Sequence, residues 1–177
     1  MAENLGPGWD DGTCTELDIL EANNHAMQTA IHTETGGSYG SGNCDKNGCF
    51  ARVGGPMSPP DRQRLYGEGM RIDSRHPFDV KTSVDSSGAM SINLHQNGHS
   101  VTSFDQRIAG NPQGNGIPRS AKSAMVAAQG KLALVASLWT APDMSWLDGE
   151  CSACNLPDAY FKISNVKVRK RGPIPFP

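Results

Sequence analysis

Acidic and aliphatic residues alternate near the N-terminus, over residues 16–21, which read ELDILE. Because successive side chains of a strand point to opposite faces, Glu16 and Asp18 would share one face and the aliphatic side chain between them the other. Strict alternation would place Glu21 on the aliphatic face. One extra residue at 19–20, a β-bulge, would return Glu21 to the side of the other two acids. The pattern therefore predicts a bulged strand that presents three carboxylates together.

Four further strands are predicted in the middle of the chain, where polar and apolar residues alternate: 65–73, 76–84, 90–94 and 100–104. Gln96-Asn97-Gly98 connects the last two, and Asn-Gly is a preferred two-residue connection of a β-hairpin. Residues 22–35 show neither a two-residue nor a helical period. We interpret them as a loop that crosses the mouth of the acidic face.

The C-terminal third of the chain predicts one helix and two strands. Ser120 is a candidate helix cap, and Gly130 ends the same run. Residues 131–139 are largely apolar, as in a strand that is buried on both faces. Residues 159–168 alternate cleanly and predict a closing strand. Together the elements predict an all-β sandwich with long loops and one short helix.

Length and composition indicate a single domain of this class. The 177 residues are enough to bury a core, and 20 Gly and 12 Pro divide the chain into short runs. We place the domain at residues 1–172, followed by a Pro-rich tail at 173–177. The net charge of −2 argues against a nucleic-acid binder, and the longest apolar run, 132–139, is too short to span a membrane. We expect a monomer.

Five cysteines suggest an oxidising compartment. Cys44 and Cys49 form one close pair, Cys151 and Cys154 form a second, and Cys14 stands alone. Two close pairs of this kind are also compatible with a zinc site. The N-terminus carries no recognisable secretory signal. From the cysteines we nevertheless expect a secreted, extracellular protein.

Three converging acids are suited to cleavage of a glycosidic bond. Their mutual repulsion separates their pKa values, and the reaction needs one ionised carboxylate and one protonated carboxylic acid. If Glu16 and Glu21 flank the bond, a separation of about 5–5.5 Å predicts a retaining mechanism and about 6.5–9.5 Å an inverting one. The spacing in sequence leaves both open. An edge strand with an acidic outer face that keeps the protein soluble is the alternative.

Residues 14–23, CTELDILEAN, resemble the E-x-D-x-x-E-A-N signature of glycoside hydrolase family 7, the fungal-type cellobiohydrolases and endoglucanases. The E-x-D-x-x-E core is shared with a wider clan, and four further segments support the family: 36–55, 65–84, 120–139 and 144–148. The resemblance implies that Glu16 is the nucleophile, Asp18 its assisting acid and Glu21 the general acid/base. It also implies a concanavalin-like β-jelly-roll. Because the matches cover the C-terminal half of the family's catalytic domain, the fold would be incomplete.

The resemblance also assigns residues around the acids. His32 lies eleven residues beyond Glu21, where the family carries a histidine beside the acid/base. Trp146 and Trp139 match positions along the cleft, where indole rings stack on sugars. The substrate would be a β-linked polysaccharide such as cellulose, cleaved without a metal or other cofactor. The remaining substrate-binding candidates are Tyr39, Gln96 and Arg52.

Two departures from the family change these expectations. Ser38 replaces an arginine that grips the product sugar in cellobiohydrolases, which favours an endo-acting enzyme with an open cleft. The family's disulfide partners for Cys44 and Cys49 are missing. We predict a local bond between them, since a turn that contains Gly48 can bring their Cα atoms within range.

Two other functions stay open at this point. A polysaccharide lyase would use His32 and Tyr39 as base and acid, and would bind uronate carboxylates through four arginines: Arg52, Arg62, Arg64 and Arg71. A carbohydrate-binding fragment without catalytic activity would bind sugar with no turnover.

Overall fold

The computed structural model describes residues 15–33, 44, 48–105, 107–109, 117–128, 131–140, 144–149 and 156–169. In these residues most regular structure is strand, paired mainly in antiparallel sheets, with little helix. The predicted all-β class is confirmed at this level. No helix among the described residues is long and apolar enough to cross a membrane.

The described residues form eight strands and two helices. The strands are β1 (Glu16–Ala22), β2 (Ala26–His32), β3 (Cys49–Gly54), β4 (Tyr66–Gly67), β5 (Ile72–Asp73), β6 (Asp79–Val84), β7 (Met90–Gln96) and β8 (His99–Phe104). The helices are α1 (Arg119–Ala128), which was expected, and α2 (Ser145–Asp148). The prediction of a single helix is wrong, because the 4 residues of α2 are too few to show a helical period in the sequence.

The first sheet has the strand order β1-β2-β3 and is antiparallel. Asp18 lies opposite Ala30, and Glu21 lies opposite Gln28. Three steps along β1 therefore match two steps along β2, so β1 carries one extra residue. The predicted bulge is confirmed, and it returns Glu21 to the face that carries Asp18.

Strand β2 corrects the sequence interpretation, because residues 26–32 form the central strand of this sheet rather than a loop. Both of its faces are covered, so its sequence AMQTAIH shows no alternation of polar and apolar residues. Thr29 is tolerated inside because its hydroxyl donates to the Ile19 carbonyl oxygen at 2.9 Å. As a result His32 lies at the end of β2, opposite Glu16 on β1, instead of in a loop.

The second sheet has the order β6-β7-β8 and is also antiparallel. The predicted hairpin is confirmed: Asn97 and Gly98 have φ values of 49° and 80°, as a two-residue type I′ turn requires. Residues 65–73 do not form one strand, because a turn at 68–71 divides them into β4 and β5, which pair in parallel. Strand β3 packs against β8, and the two larger sheets share one core that includes Met27, Ile31, Ile92, Leu94 and Phe104.

Two segments near the C-terminus, 131–140 and 156–169, form no strand, so the strands predicted at 131–139 and 159–168 are both wrong. Their large side chains are exposed: Leu134 is 65% exposed and Tyr160 88%. A strand needs a neighbour to accept and donate its backbone hydrogen bonds. Within the described residues no strand pairs with either segment.

A disulfide joins Cys44 and Cys49, with a Cα–Cα distance of 4.7 Å, as predicted. A covalently joined pair offers no thiolate to a zinc ion, so the zinc alternative is wrong for these two residues. The other cysteines and the Pro-rich tail at 173–177 lie outside the described residues. The domain boundary at 172 stays a prediction.

Candidate active site

One face of the first sheet gathers the three acids. Residues directly opposite each other on antiparallel strands point to the same face. Glu16 lies opposite His32 across the β1–β2 pairing. Glu21 lies opposite Gln28, which in turn lies opposite Arg52 on β3. We call this surface the acid-bearing face; its polar residues are Glu16, Asp18, Glu21, Gln28, His32 and Arg52.

Asp18 and His32 form a close pair on this face, with 3.3 Å between the Asp18 Oδ2 and His32 Nε2 atoms. Both side chains are mostly buried, which fixes the carboxylate and the imidazole relative to the neighbouring acids. Glu16, Asp18 and His32 each offer one ligand atom, and these atoms lie within 4.8 Å of one another. Two carboxylates and an imidazole are ligands that divalent cations accept. Acids cluster for other reasons too, and the expectation of a metal-free site stays a prediction.

Glu21 has the properties of a proton donor. Burial, followed by repulsion from Asp18, raises its pKa from an ordinary 4.5 to about 7. A hydrogen bond from Gln28 opposes this rise. Burial and Asp18 also raise the pKa of Glu16, while His32 acts to lower it. Glu21 therefore holds its proton up to about neutral pH, which is what a general acid requires.

Gln28 is a site residue that the sequence reasoning missed. Its side chain is only 6% exposed. The Gln28 amide nitrogen donates to Glu21 Oε2 at 3.2 Å, and its amide oxygen accepts from Arg52 Nε at 2.7 Å. The sequence signal for this role is the pairing register: once the bulge is placed, Gln28 faces Glu21. Interpreting residues 22–35 as a loop concealed it.

Arg52, Trp146 and Trp139, all predicted to bind substrate, come together in the structure. The Arg52 guanidinium carbon lies 4.8 Å from the centre of the Phe50 ring and 5.7 Å from the Trp146 ring. Trp146 stacks on Trp139, with 6.4 Å between ring centres and 23° between planes. A continuous chain of contacts thus leads from Glu21 through Gln28 and Arg52 to two indole rings.

No protein-family model matches the chain. No solved structure matches it either. The resemblance to glycoside hydrolase family 7 stays a prediction, and the function of the acid-bearing face is inferred from its own residues and geometry.

Asn23, the last residue of the signature, positions helix α2, which carries Trp146. Its side-chain oxygen accepts from the backbone N–H groups of His25 and Ala26 at 2.8 and 2.9 Å, which closes the β1–β2 turn. Its amide nitrogen donates to the buried carboxylate of Asp148 on α2. Helix α2 is therefore tied to the end of β1, and Trp146 with it.

Gln96, another predicted substrate-binding residue, does not join this site. The Gln96 side chain is 8% exposed and bonds to the backbone of the connection that follows β5: it accepts from the Asp73 N–H at 2.7 Å and donates to the carbonyl oxygens of Asp73, His76 and Pro77. Gln96 thus stabilises the second sheet and the connection packed on it. Tyr39 lies outside the described residues.

Arg62, which the lyase alternative requires, also has a structural role. Its guanidinium donates to the backbone carbonyl oxygens of Arg52, Thr102 and Ser103, at 2.9, 3.2 and 2.8 Å. These bonds connect β3 to β8 across the two sheets.

Proposed function

We propose that the protein is a retaining, endo-acting glycoside hydrolase that cleaves internal bonds of a β-linked polysaccharide, with a cellulose-like β-1,4-glucan as the model substrate. One observation carries the proposal. The bulge in β1 places Glu21, whose pKa is about 7, on one face with Glu16 and Asp18. Glycoside hydrolysis requires such a pair, with one carboxyl protonated and the other ionised at the same pH.

The reaction has two displacement steps. In the first, the Glu16 carboxylate attacks the anomeric carbon while Glu21 gives its proton to the glycosidic oxygen, so the carbon–oxygen bond to the leaving sugar breaks. In the second, Glu21 takes a proton from water, whose oxygen attacks the same carbon and releases Glu16. Asp18 disfavours ionisation of Glu21 by its charge. His32, 3.3 Å from Asp18, fixes that carboxylate in place.

The surrounding architecture supports the same proposal. Two antiparallel sheets that share one core support the β-sandwich that we propose. On the resemblance described above we extend this to a concanavalin-like jelly-roll. The Cys44–Cys49 disulfide supports a secreted, extracellular enzyme that meets its polymer outside the cell. We propose that it acts as a monomer.

Release of reducing ends from a soluble β-1,4-glucan tests the proposal. Glu16→Gln and Glu21→Gln keep side-chain shape but remove the nucleophile and the proton donor, and we expect each to lower kcat by about 10²- to 10⁴-fold. Glu68→Gln is the matched control, since Glu68 is an exposed acid on the turn between β4 and β5. Wild-type rates in both active-site variants would overturn the proposal. NMR of the first product should show a retained β anomer; an α anomer would replace double displacement by inversion.

The products of the same assays distinguish hydrolysis from the two alternative functions. A lyase would produce unsaturated ends that absorb in the ultraviolet, whereas hydrolysis gives new reducing ends without that absorption. A carbohydrate-binding protein would bind the glucan through Trp139 and Trp146 with no new ends at all. Hydrolysis is favoured over elimination because Arg62 is bonded to backbone carbonyls and the half-buried acids Glu16 and Glu21 can supply both catalytic roles.

A further inference from the structure

Two aromatic rings and one hydrogen bond hold the Arg52 side chain in place. Its guanidinium lies over Phe50 and Trp146, and its Nε atom donates to Gln28. An arginine has five side-chain N–H donors. Among the described residues, Nε–H is the one donor of Arg52 that has an acceptor, so both terminal nitrogens remain available for a ligand. Burial lowers the pKa of Arg52 and outweighs the charge of Glu21, which acts to raise it, so the cation is partly dehydrated.

A depression of about 370 Å³ opens beside Arg52. Its wall is apolar apart from a serine and two arginines, and no acidic side chain of the described residues lines it. The residues that matter here are Phe50, Arg52, Met57, Pro59, Arg62 and Ile108. The Arg62 guanidinium already donates to three backbone carbonyl oxygens. It therefore contributes positive charge to the depression, whereas Arg52 contributes the N–H donors that a ligand can use.

Glu21 is the acid closest to Arg52 in the chain of contacts, and its charge acts on Arg52 only when Glu21 is ionised. Glu21 is connected to Arg52 through Gln28, but below about pH 7 it is protonated and carries no charge. A partly buried cation whose neighbouring acid is protonated attracts an anion strongly, because both groups interact in a medium less polar than water. A planar guanidinium also matches a carboxylate with two parallel hydrogen bonds, which a neutral sugar hydroxyl cannot provide.

We infer that Arg52 and the depression beside it form a subsite for a carboxylate-bearing sugar unit or substituent, adjacent to Glu21. This inference rests on the proposed hydrolase and narrows its substrate class to β-linked polysaccharides that carry acidic groups. Gln28 is the positioning residue of the subsite, since one amide fixes both the general acid and the arginine. An acidic sugar bound by Arg52 would therefore lie next to the scissile bond.

Two soluble polymers with the same β-1,4-glucan backbone test the subsite: carboxymethylcellulose, which is anionic, and hydroxyethylcellulose, which is neutral. At matched substitution we expect wild-type kcat/KM to be about tenfold higher on the anionic polymer, the effect of one charge-assisted hydrogen bond. Arg52→Met should bring the ratio of the two values close to one. Arg52→Lys keeps the charge without the planar fork and should retain part of the preference. Lys81→Met, at an exposed cationic residue on β6 of the second sheet, should leave the ratio unchanged.

Equal use of the two polymers by the wild type, or an unchanged ratio in Arg52→Met, would overturn the subsite while leaving hydrolysis intact. If neither polymer is cleaved, the proposed hydrolase function is wrong, and the subsite is then tested by binding measurements alone. Calorimetric titration of Glu16→Gln with a carboxymethylated and a neutral cello-oligosaccharide should then still show tighter binding of the anionic one. That difference should disappear in the Glu16→Gln, Arg52→Met double variant; if it persists, or is never present, Arg52 is not the anion site.

Discussion

Strand β2 of the first sheet and residues 159–168 near the C-terminus each have the structure that the side-chain pattern of the other would predict. Strand β2 has no alternation, yet it is the buried centre of its sheet. Residues 159–168 alternate cleanly, yet they form no strand, and Val168 is 89% exposed. The difference is the neighbour: β2 has β1 and β3 to satisfy its backbone groups on both sides. Pairing decides where a strand forms, and the side-chain pattern decides which face is buried.

The largest expected difference between the two regions is in stability. Ile31 in β2 is 1% exposed, so Ile31→Ala should lower the free energy of unfolding by about 2–5 kcal/mol through lost burial and a cavity. Leu134 is 65% exposed, so its truncation removes little buried apolar area. Leu134→Ala should therefore change the free energy of unfolding by less than about 0.5 kcal/mol. Denaturant unfolding of both variants measures the two values. A cost for Leu134→Ala close to that of Ile31→Ala would show that residues 131–140 are buried in solution.

A smaller effect comes from the proton that burial places on Glu21. Because its pKa rises from 4.5 to about 7 on folding, the native chain keeps a proton that the unfolded chain releases. The stability from this proton is fully present below about pH 4.5 and is lost as the pH rises through about 7. Relative to Glu21→Gln, which cannot titrate, the wild-type free energy of unfolding should fall over this window by at most about 3 kcal/mol. A pH-independent difference between the two proteins would contradict the burial of Glu21.

Local signals accounted for the features that the sequence predicted correctly. The bulge follows from three acids at unequal spacing, the hairpin from Asn97-Gly98, and the disulfide from two cysteines across a short turn. Each depends on residues close together in the chain.

Features that depend on distant residues were not predictable in this way. Gln28 joins the site only because β2 pairs with both β1 and β3, which brings Arg52 within 2.7 Å. The bond from Asn23 to Asp148 connects residues 125 positions apart. The apolar run at 131–139 predicts burial but carries no information on a pairing partner. Sequence pattern therefore located the acids, whereas strand register determined what surrounds them.

The smallest predicted effect is a shift of the pH profile, and comparing variants of two buried glutamines measures it. Gln28 belongs to the acid-bearing face and Gln96 to the second sheet, at 6% and 8% exposed. Replacing either by Leu leaves polar partners unsatisfied, so both variants should lose about 1–3 kcal/mol of unfolding free energy. Only Gln28→Leu removes the hydrogen bond that lowers the pKa of Glu21, so only this variant should move the basic limb of the kcat/KM profile to higher pH.

The pH profile separates positioning of the general acid from a general loss of stability, because Gln96→Leu controls for the latter. If both variants shift the basic limb equally, the shift reports loosening of the whole domain. If neither does, Gln28 does not act on Glu21 in the catalytic state, and the bond of 3.2 Å between them is structural only. An upward shift confined to Gln28→Leu would establish that a strand without any recognisable pattern sets the working pH of the site.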